Sequence, residues 1–267
     1  MKFIESSKNP QVKALVKLRE RRVREREGRF IIEGTRELQR ALQAEVKLES
    51  LYFCPTFMSP ESWDVVKSLD VHKLDIHKTE LSETAFKKVS LRQKPDGVLA
   101  VAKTPSTNLN DLSFADDALV LMLDGLEKPG NLGALLRTAD AANVDAVLVS
   151  GEGTDLYNPN VVRGSVGSVF SRPTLTVDEA ELSTFLQAQQ FKLIAAMPDA
   201  PQSYWQADLS GKVAILLGTE HDGLSEHWQN AATLQVSIPM HGLADSLNVA
   251  TSGALFMYEV LRQRSQR

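Results

Sequence analysis

Three glycine-bearing stretches in the second half of the chain carry polar residues at spacings that suit chemistry on a bound ligand. They are DGLEKPGNLGALLRT (124–138), LLGTEHDGLSEHW (216–228) and SIPMHGLADSLNVATSGAL (237–255). The first is not a Walker phosphate loop, which leads into its helix with Gly-Lys-Ser/Thr; here Gly133 is followed by Ala134 and Leu135. Nor is it a dinucleotide fingerprint, because Gly125, Gly130 and Gly133 lack the Gly-x-Gly-x-x-Gly spacing. What remains is a helix over about 131–142, with Asn131 near its N-cap and Arg137 in its second turn, where an ordinary pairing with Asp140 is open to it. In the second stretch Glu220 stands between Gly218 and Gly223, a setting that suits a general base, a ligand clamp or a helix N-terminal carboxylate. In the third, Pro239 stops a strand and Gly242 permits a turn. Asp245 or Ser246 then caps a last helix over about 246–263, which leaves Asn248 in its first turn, a position capping explains less well.

These loops must do their work without a metal. The five histidines (72, 77, 221, 227 and 241) have no zinc-ligand spacing, and the single cysteine, Cys54, builds neither a thiolate site nor an internal disulfide.

The elements that position the loops are legible as apolar runs at 119–123, 145–149, 191–196, 213–217 and 234–238, each suited to a parallel sheet covered on both faces. Helices are expected between them at about 131–142, 178–189 and 224–231. Ligands of such sheets lie beyond the carboxyl ends of the strands, where all three loops fall. The first part reads as a smaller α/β unit. Its pattern is a helix over 9–27, a strand over Arg29–Glu33, a helix over Thr35–Ala44 and a strand over Leu48–Phe53. A helix opened by Ser59-Pro60, a strand over 71–79, a helix over 82–90 and a strand over 97–103 follow. The turn-forming stretch TPSTNLNDLS (104–113) divides the chain into a unit of 1–106 and one of 107–267.

With 43% hydrophobic and 24% charged residues in 267, the chain has the balance of a soluble globular protein. Its polar start, MKFIESSKNP, argues against a signal peptide, no run reaches a membrane span, and a cytoplasmic location is expected. The net charge of −4 hides an asymmetry: residues 1–30 hold ten Lys+Arg and four Glu, a net of +6, so the remainder carries −10. Such a segment is either a solvated charged helix or a contact for a polyanion.

Taken together, the three loops resemble the signature motifs of the SpoU–TrmH family of RNA 2′-O-ribose methyltransferases. Asn131-x-Gly133-Ala134-x-x-Arg137-Thr138 is similar to the first motif and Leu217-Gly218-x-Glu220-x-x-Gly223-Leu224 to the second. Ile238-Pro239-Met240-x-Gly242-x-x-x-Ser246-Leu247-Asn248-Val249-Ala250 is similar to the third. NPNVVRGSVGSVF (158–170) resembles the family's stretch before the mid-domain strand. FIIEGTRELQRAL (30–42) and KPDGVLAV (94–101) resemble, more loosely, its small RNA-substrate-binding domain. The resemblance implies a catalytic SPOUT-type parallel sheet with a deep C-terminal trefoil knot, preceded by that small α/β domain, and usually a homodimer. It implies S-adenosylmethionine as cofactor, held by Gly218, Ile238, Met240 and Leu247 largely through main-chain groups, and no metal. Arg137, Asn131, Glu220, Ser246 and Asn248 would form the catalytic cluster. Arg137 is always protonated, so its expected role is to bind a phosphate and stabilise a developing alkoxide; phosphate, water and Glu220 all remain open as proton acceptor. The domain layout favours rRNA over tRNA as substrate; a non-catalytic ribosome-assembly protein on the same fold is the alternative.

Overall fold

The computed structural model describes residues 2–71 and 76–266, and the chain divides into two compact units. One comprises Met1–Ser106 together with Tyr157–Ser171; the other comprises Thr107–Leu156 and Arg172–Arg267. The chain runs through β1 (Lys2–Ile4), α1 (Pro10–Lys17), α2 (Arg21–Glu27), β2 (Arg29–Glu33), α3 (Thr35–Gln43) and β3 (Leu48–Phe53). It continues through α4 (Pro60–Val71), β4 (His77–Leu81), α5 (Glu83–Val89) and β5 (Val98–Lys103). After these come β6 (Leu119–Asp124), α6 (Pro129–Ala141), β7 (Ala146–Ser150), α7 (Pro159–Gly164), β8 (Thr174–Thr176) and α8 (Glu179–Ala188). The last elements are β9 (Lys192–Ala196), β10 (Gln202–Ser203), β11 (Val213–Leu217), α9 (Glu226–Ala231), β12 (Leu234–Ser237) and α10 (Val249–Ser265).

In the first unit the sheet order is β1-β4-β3-β5-β2, with β1, β4 and β3 parallel and β5 antiparallel to both its neighbours. The helix expected over 9–27 is two helices. Arg24, although charged, is buried and donates to the carbonyls of Leu18 (2.9 Å) and Arg19 (2.7 Å), which pins the turn between α1 and α2. Arg19 in turn donates to the carbonyls of Lys88, Val89 and Ser90, where α5 ends, a favourable place for a cation. Part of the N-terminal basic excess is therefore structural, while Lys2, Lys8, Lys13, Lys17 and Arg22 are exposed. The strand expected over 71–79 corresponds to β4; residues 72–75, His72 included, lie outside the described residues.

Tyr157–Ser171, expected within the region 107–267, packs with the first unit. The Tyr157 and Phe170 rings lie 4.5 and 5.9 Å from that of Phe30, and Arg40 donates to the Val166 carbonyl (2.9 Å) and the Ser168 hydroxyl (2.8 Å).

The second unit is built on a seven-stranded sheet in the order β10-β12-β9-β11-β6-β7-β8, parallel throughout. Its central strands β6, β7 and β11 are buried along their whole length, as the continuous apolar runs require. The strands β8 and β10 have three and two residues and no apolar run to announce them. At the C-terminus α10 comes back from β12 to pack on α6 and β11. Gly253 permits this approach, since a Cβ there would stand 2.4 Å from Leu135 Cδ2 and 2.9 Å from Leu217 Cδ1. Because the strands are parallel, the loops after β6, β11 and β12 leave from one edge of the sheet.

Candidate active site

At that edge, Asp124 ends β6 and is buried. Its Oδ2 accepts from the Ser225 N–H (2.9 Å) and its Oδ1 from the Ser150 hydroxyl (3.5 Å), which also accepts from Trp228 Nε1 (3.3 Å). This fixes the bases of the first two loops. The second loop then doubles back on itself: Thr219 N–H donates to the Gly223 carbonyl (2.9 Å), and Asp222 N–H to the Thr219 hydroxyl (2.8 Å). Only glycine suits two of its positions. Gly223 has φ +71°, and a Cβ on Gly218 would stand 2.0 Å from the Gly223 carbonyl carbon. The reversal aims Glu220 at the first loop, where the Lys128 ammonium meets its Oε2 in a close ion pair.

Two expectations about helix starts are corrected. Proline is favoured in a first turn, so α6 begins at Pro129 rather than about 131, with Lys128 at its N-cap; Asn131 lies near the cap as the third helical residue. The last helix begins at Val249, not 246, and its cap is Asn248 rather than Asp245 or Ser246. One amide serves two purposes there. Asn248 Oδ1 accepts from the Ala250 N–H (3.0 Å), while its Nδ2 donates to Asn131 Oδ1 (3.2 Å). Capping therefore explains where Asn248 stands, and the bond to Asn131 joins the third loop to the first.

Arg137 is exposed on the second turn of α6. Ser246 is exposed on the third loop, and Leu247 is partly so. Gly218 is buried, whereas Ile238 and Met240 are half-buried. Residues 238–247 form the connection from β12 to α10, outside any helix or strand. Lys128, at the N-cap of α6, joins the site only through the folded second loop, and its place before a helix-starting proline gives no sign of this in the sequence. No group of three His, Cys, Asp or Glu among the described residues is placed to hold a metal, and no described helix is long and apolar enough to cross a membrane.

Residues 118–258 match the SpoU rRNA Methylase family and residues 9–100 the MRM3-like substrate binding domain. The chain belongs to the SpoU rRNA methylase family. It is 30% identical over 261 residues to the 23S rRNA (guanosine(2553)-2′-O)-methyltransferase RlmP of Bacillus subtilis, covering 97% of this chain and 99% of that one. Among solved structures, an RNA 2′-O ribose methyltransferase is 46% identical with a TM-score of 0.85, over 98% of this chain and 99% of that one. The AdoMet-bound rRNA methyltransferase of Sinorhizobium meliloti is 27% identical with a TM-score of 0.89, over 98% of both chains. The α/β architecture with a parallel sheet is the one expected of the family.

Proposed function

We propose that this SpoU-family chain transfers the methyl group of S-adenosylmethionine to a ribose 2′-hydroxyl of RNA, with rRNA as its substrate class. The observation that carries the reading is the convergence of the three motif loops. The Asn131–Asn248 bond ties the first to the third, and the Lys128–Glu220 pair ties the first to the second, at the sheet edge where ligands of such folds bind. The near full-length likeness to an rRNA 2′-O-methyltransferase and the substrate-binding-domain match support rRNA.

Gly218, Ile238, Met240 and Leu247 hold the cofactor, mainly through main-chain groups. When bound, it supplies a methyl already activated by its sulfonium charge. What the chain must add is alignment of the hydroxyl and management of its proton. Arg137 cannot accept that proton; it grips an RNA phosphate and stabilises the developing alkoxide. Asn131 and Asn248, locked amide to amide, present fixed polar groups, and Ser246 adds a hydroxyl from the third loop. Glu220 is the one carboxylate of the set, which suits it to orient the hydroxyl.

Three finer points belong to the same reading. The return of the chain from β12 to α6 and β11 supports a trefoil knot at the C-terminus. The outer face of α10 carries Leu255 and Tyr258, 37% and 51% exposed, on a shallow cavity of about 390 Å³ that Tyr204 also lines; it supports a homodimer formed through α10. The rRNA-modifying relatives and the lone, buried Cys54 support a cytoplasmic location.

The test is methyl transfer from labelled S-adenosylmethionine to unmodified rRNA and, separately, tRNA. Label at one alkali-resistant linkage in rRNA is the expected result. Label in tRNA alone would replace the substrate class, and none in either RNA despite tight binding of both ligands would favour an assembly factor.

A further inference from the structure

Glu220 does not face the site alone. Its side chain, 25% exposed, is paired with the ammonium of Lys128, whose own side chain is 69% exposed. The two backbones that carry the pair are held independently of it. Glu220 sits in a reversal closed by Thr219 and Gly223, and Lys128 is fixed by the start of α6 and, below, by the Asp124–Ser225 bond. The pair is thus not needed to build the loops. An exposed pair of this kind adds little to stability and opens at little cost. Its lysine is, moreover, a mobile, fully charged phosphate ligand at the mouth of a site that takes a polyanion.

Resting on the function above, we propose that Lys128 is a positioning residue forming a substrate-operated latch with Glu220. In the free protein the ammonium holds the carboxylate across the mouth of the site. When RNA enters, a backbone phosphate takes Lys128, and Glu220 turns to the target ribose. The exchange is one of ionic partners, with no covalent bond made or broken. It gives Glu220 its working orientation only when a phosphate stands where a nucleotide's must, so the latch also discriminates against free nucleosides.

The experiment compares the full chain with Lys128→Met, Lys128→Arg, Glu220→Gln and the double variant Lys128→Met/Glu220→Gln. RNA affinity is measured on unmodified rRNA transcripts with S-adenosylhomocysteine present, over a salt series, and kcat and KM by methyl transfer. With the latch, Lys128→Met raises KM for RNA about fivefold with kcat within about threefold, and lowers the salt slope of RNA binding by about 0.7–0.9, one phosphate contact. Lys128→Arg keeps the slope. Glu220→Gln tightens RNA binding more in the native background than beside Lys128→Met, because only the native chain has a pair to open. The reverse order, an unchanged salt slope, or a fall in kcat with RNA affinity intact would overturn the latch and leave Lys128 a static partner of Glu220. Failure of the native chain to methylate any RNA would instead overturn the functional reading beneath it. Melting curves of each variant separate these effects from loss of fold, and Lys128→Arg provides a folded control.

Discussion

Around the β2–α3 turn of the first unit, Glu33 and Glu37 are buried and tied down. Arg92 donates to Glu37 Oε1 (2.7 Å) and to the Glu33 carbonyl (3.2 Å), Leu91 N–H to Glu33 Oε2 (2.8 Å), and Thr35 N–H to Asp96 Oδ2 (2.8 Å). At the sheet edge of the second unit, similar residue types behave differently. Arg137, Ser246 and Asn248 are exposed, and the contacts that join them to their surroundings are few. Residues of one chemistry serve as mortar in the first place and as tools in the second. The distinguishing feature is not residue type but whether each polar group's partners are internal. Burial pushes the Glu37 carboxyl above the ordinary range while Arg92 pulls it back, as expected of a charge enclosed with its counterion.

The sharpest break between the two regions is expected from Arg137→Ala. Methyl transfer should fall about 10³-fold, with the affinity for S-adenosylmethionine, measured by calorimetry, unchanged within about twofold. Loss of cofactor affinity in parallel would move Arg137 from the RNA side of the site to the cofactor side. The counterpart in the first unit is Arg92→Met, which leaves Glu37 enclosed without its cation. Urea denaturation should show a loss of about 3 kcal/mol, with kcat at saturating RNA within about threefold; a collapse of kcat in a folded variant would erase the contrast.

A third measurement uses alkali. Burial pushes the Tyr157 phenol up to about 12, against an ordinary value of about 10. Below pH 10 folded and unfolded phenols are both protonated and this contribution to stability is complete. From about pH 10 to 12 the unfolded chain sheds a proton that the folded chain keeps, so stability falls with rising pH, by up to about 2 kcal/mol. Tyr157→Phe should flatten that part of the decline, as followed by denaturation at fixed pH; an identical decline in both proteins would mean the phenol is not enclosed. The smallest stability effect is at the α10 cap. Asn248→Ala should cost about 1 kcal/mol and Asn248→Ser almost none, while both lose the bond to Asn131 and, with it, about tenfold in turnover. Full turnover in the serine variant would reduce Asn248 to a cap.

Much of the second unit was legible because its strands are buried on both faces and are written as unbroken apolar runs. The run Val213–Leu217 coincides with β11, and Leu119–Leu123 falls one residue short of β6. What escaped was decided by side chains reaching across the chain. The break between α1 and α2 depends on Arg24 folding back on two carbonyls, which an apolar periodicity does not register. The start of α10 at Val249 was misplaced because Asp245, Ser246 and Asn248 are all competent caps; in the fold Asn248 is the cap and also bonds Asn131, 117 residues away. Lys128 escaped for a similar reason: a lysine before a proline is unremarkable until the reversal of the second loop aims Glu220 at it. In the first unit, the stretches 30–42 and 94–101 stood out as similar to a known domain. Glu33, Thr35 and Glu37 of one are joined through Arg92 and directly to Asp96 of the other.

The allotment of Tyr157–Ser171 to the first unit bears on the order of synthesis. A chain made from its N-terminus completes residues 1–106 early, yet Phe30 then lacks Tyr157 and Phe170, and Arg40 lacks the Val166 carbonyl and the Ser168 hydroxyl. These arrive only after β6, α6 and β7 of the second unit have been made. During synthesis from the N-terminus, the last contacts of the first unit therefore become available only with a piece encoded more than fifty residues beyond Ser106, after part of the second unit has been made.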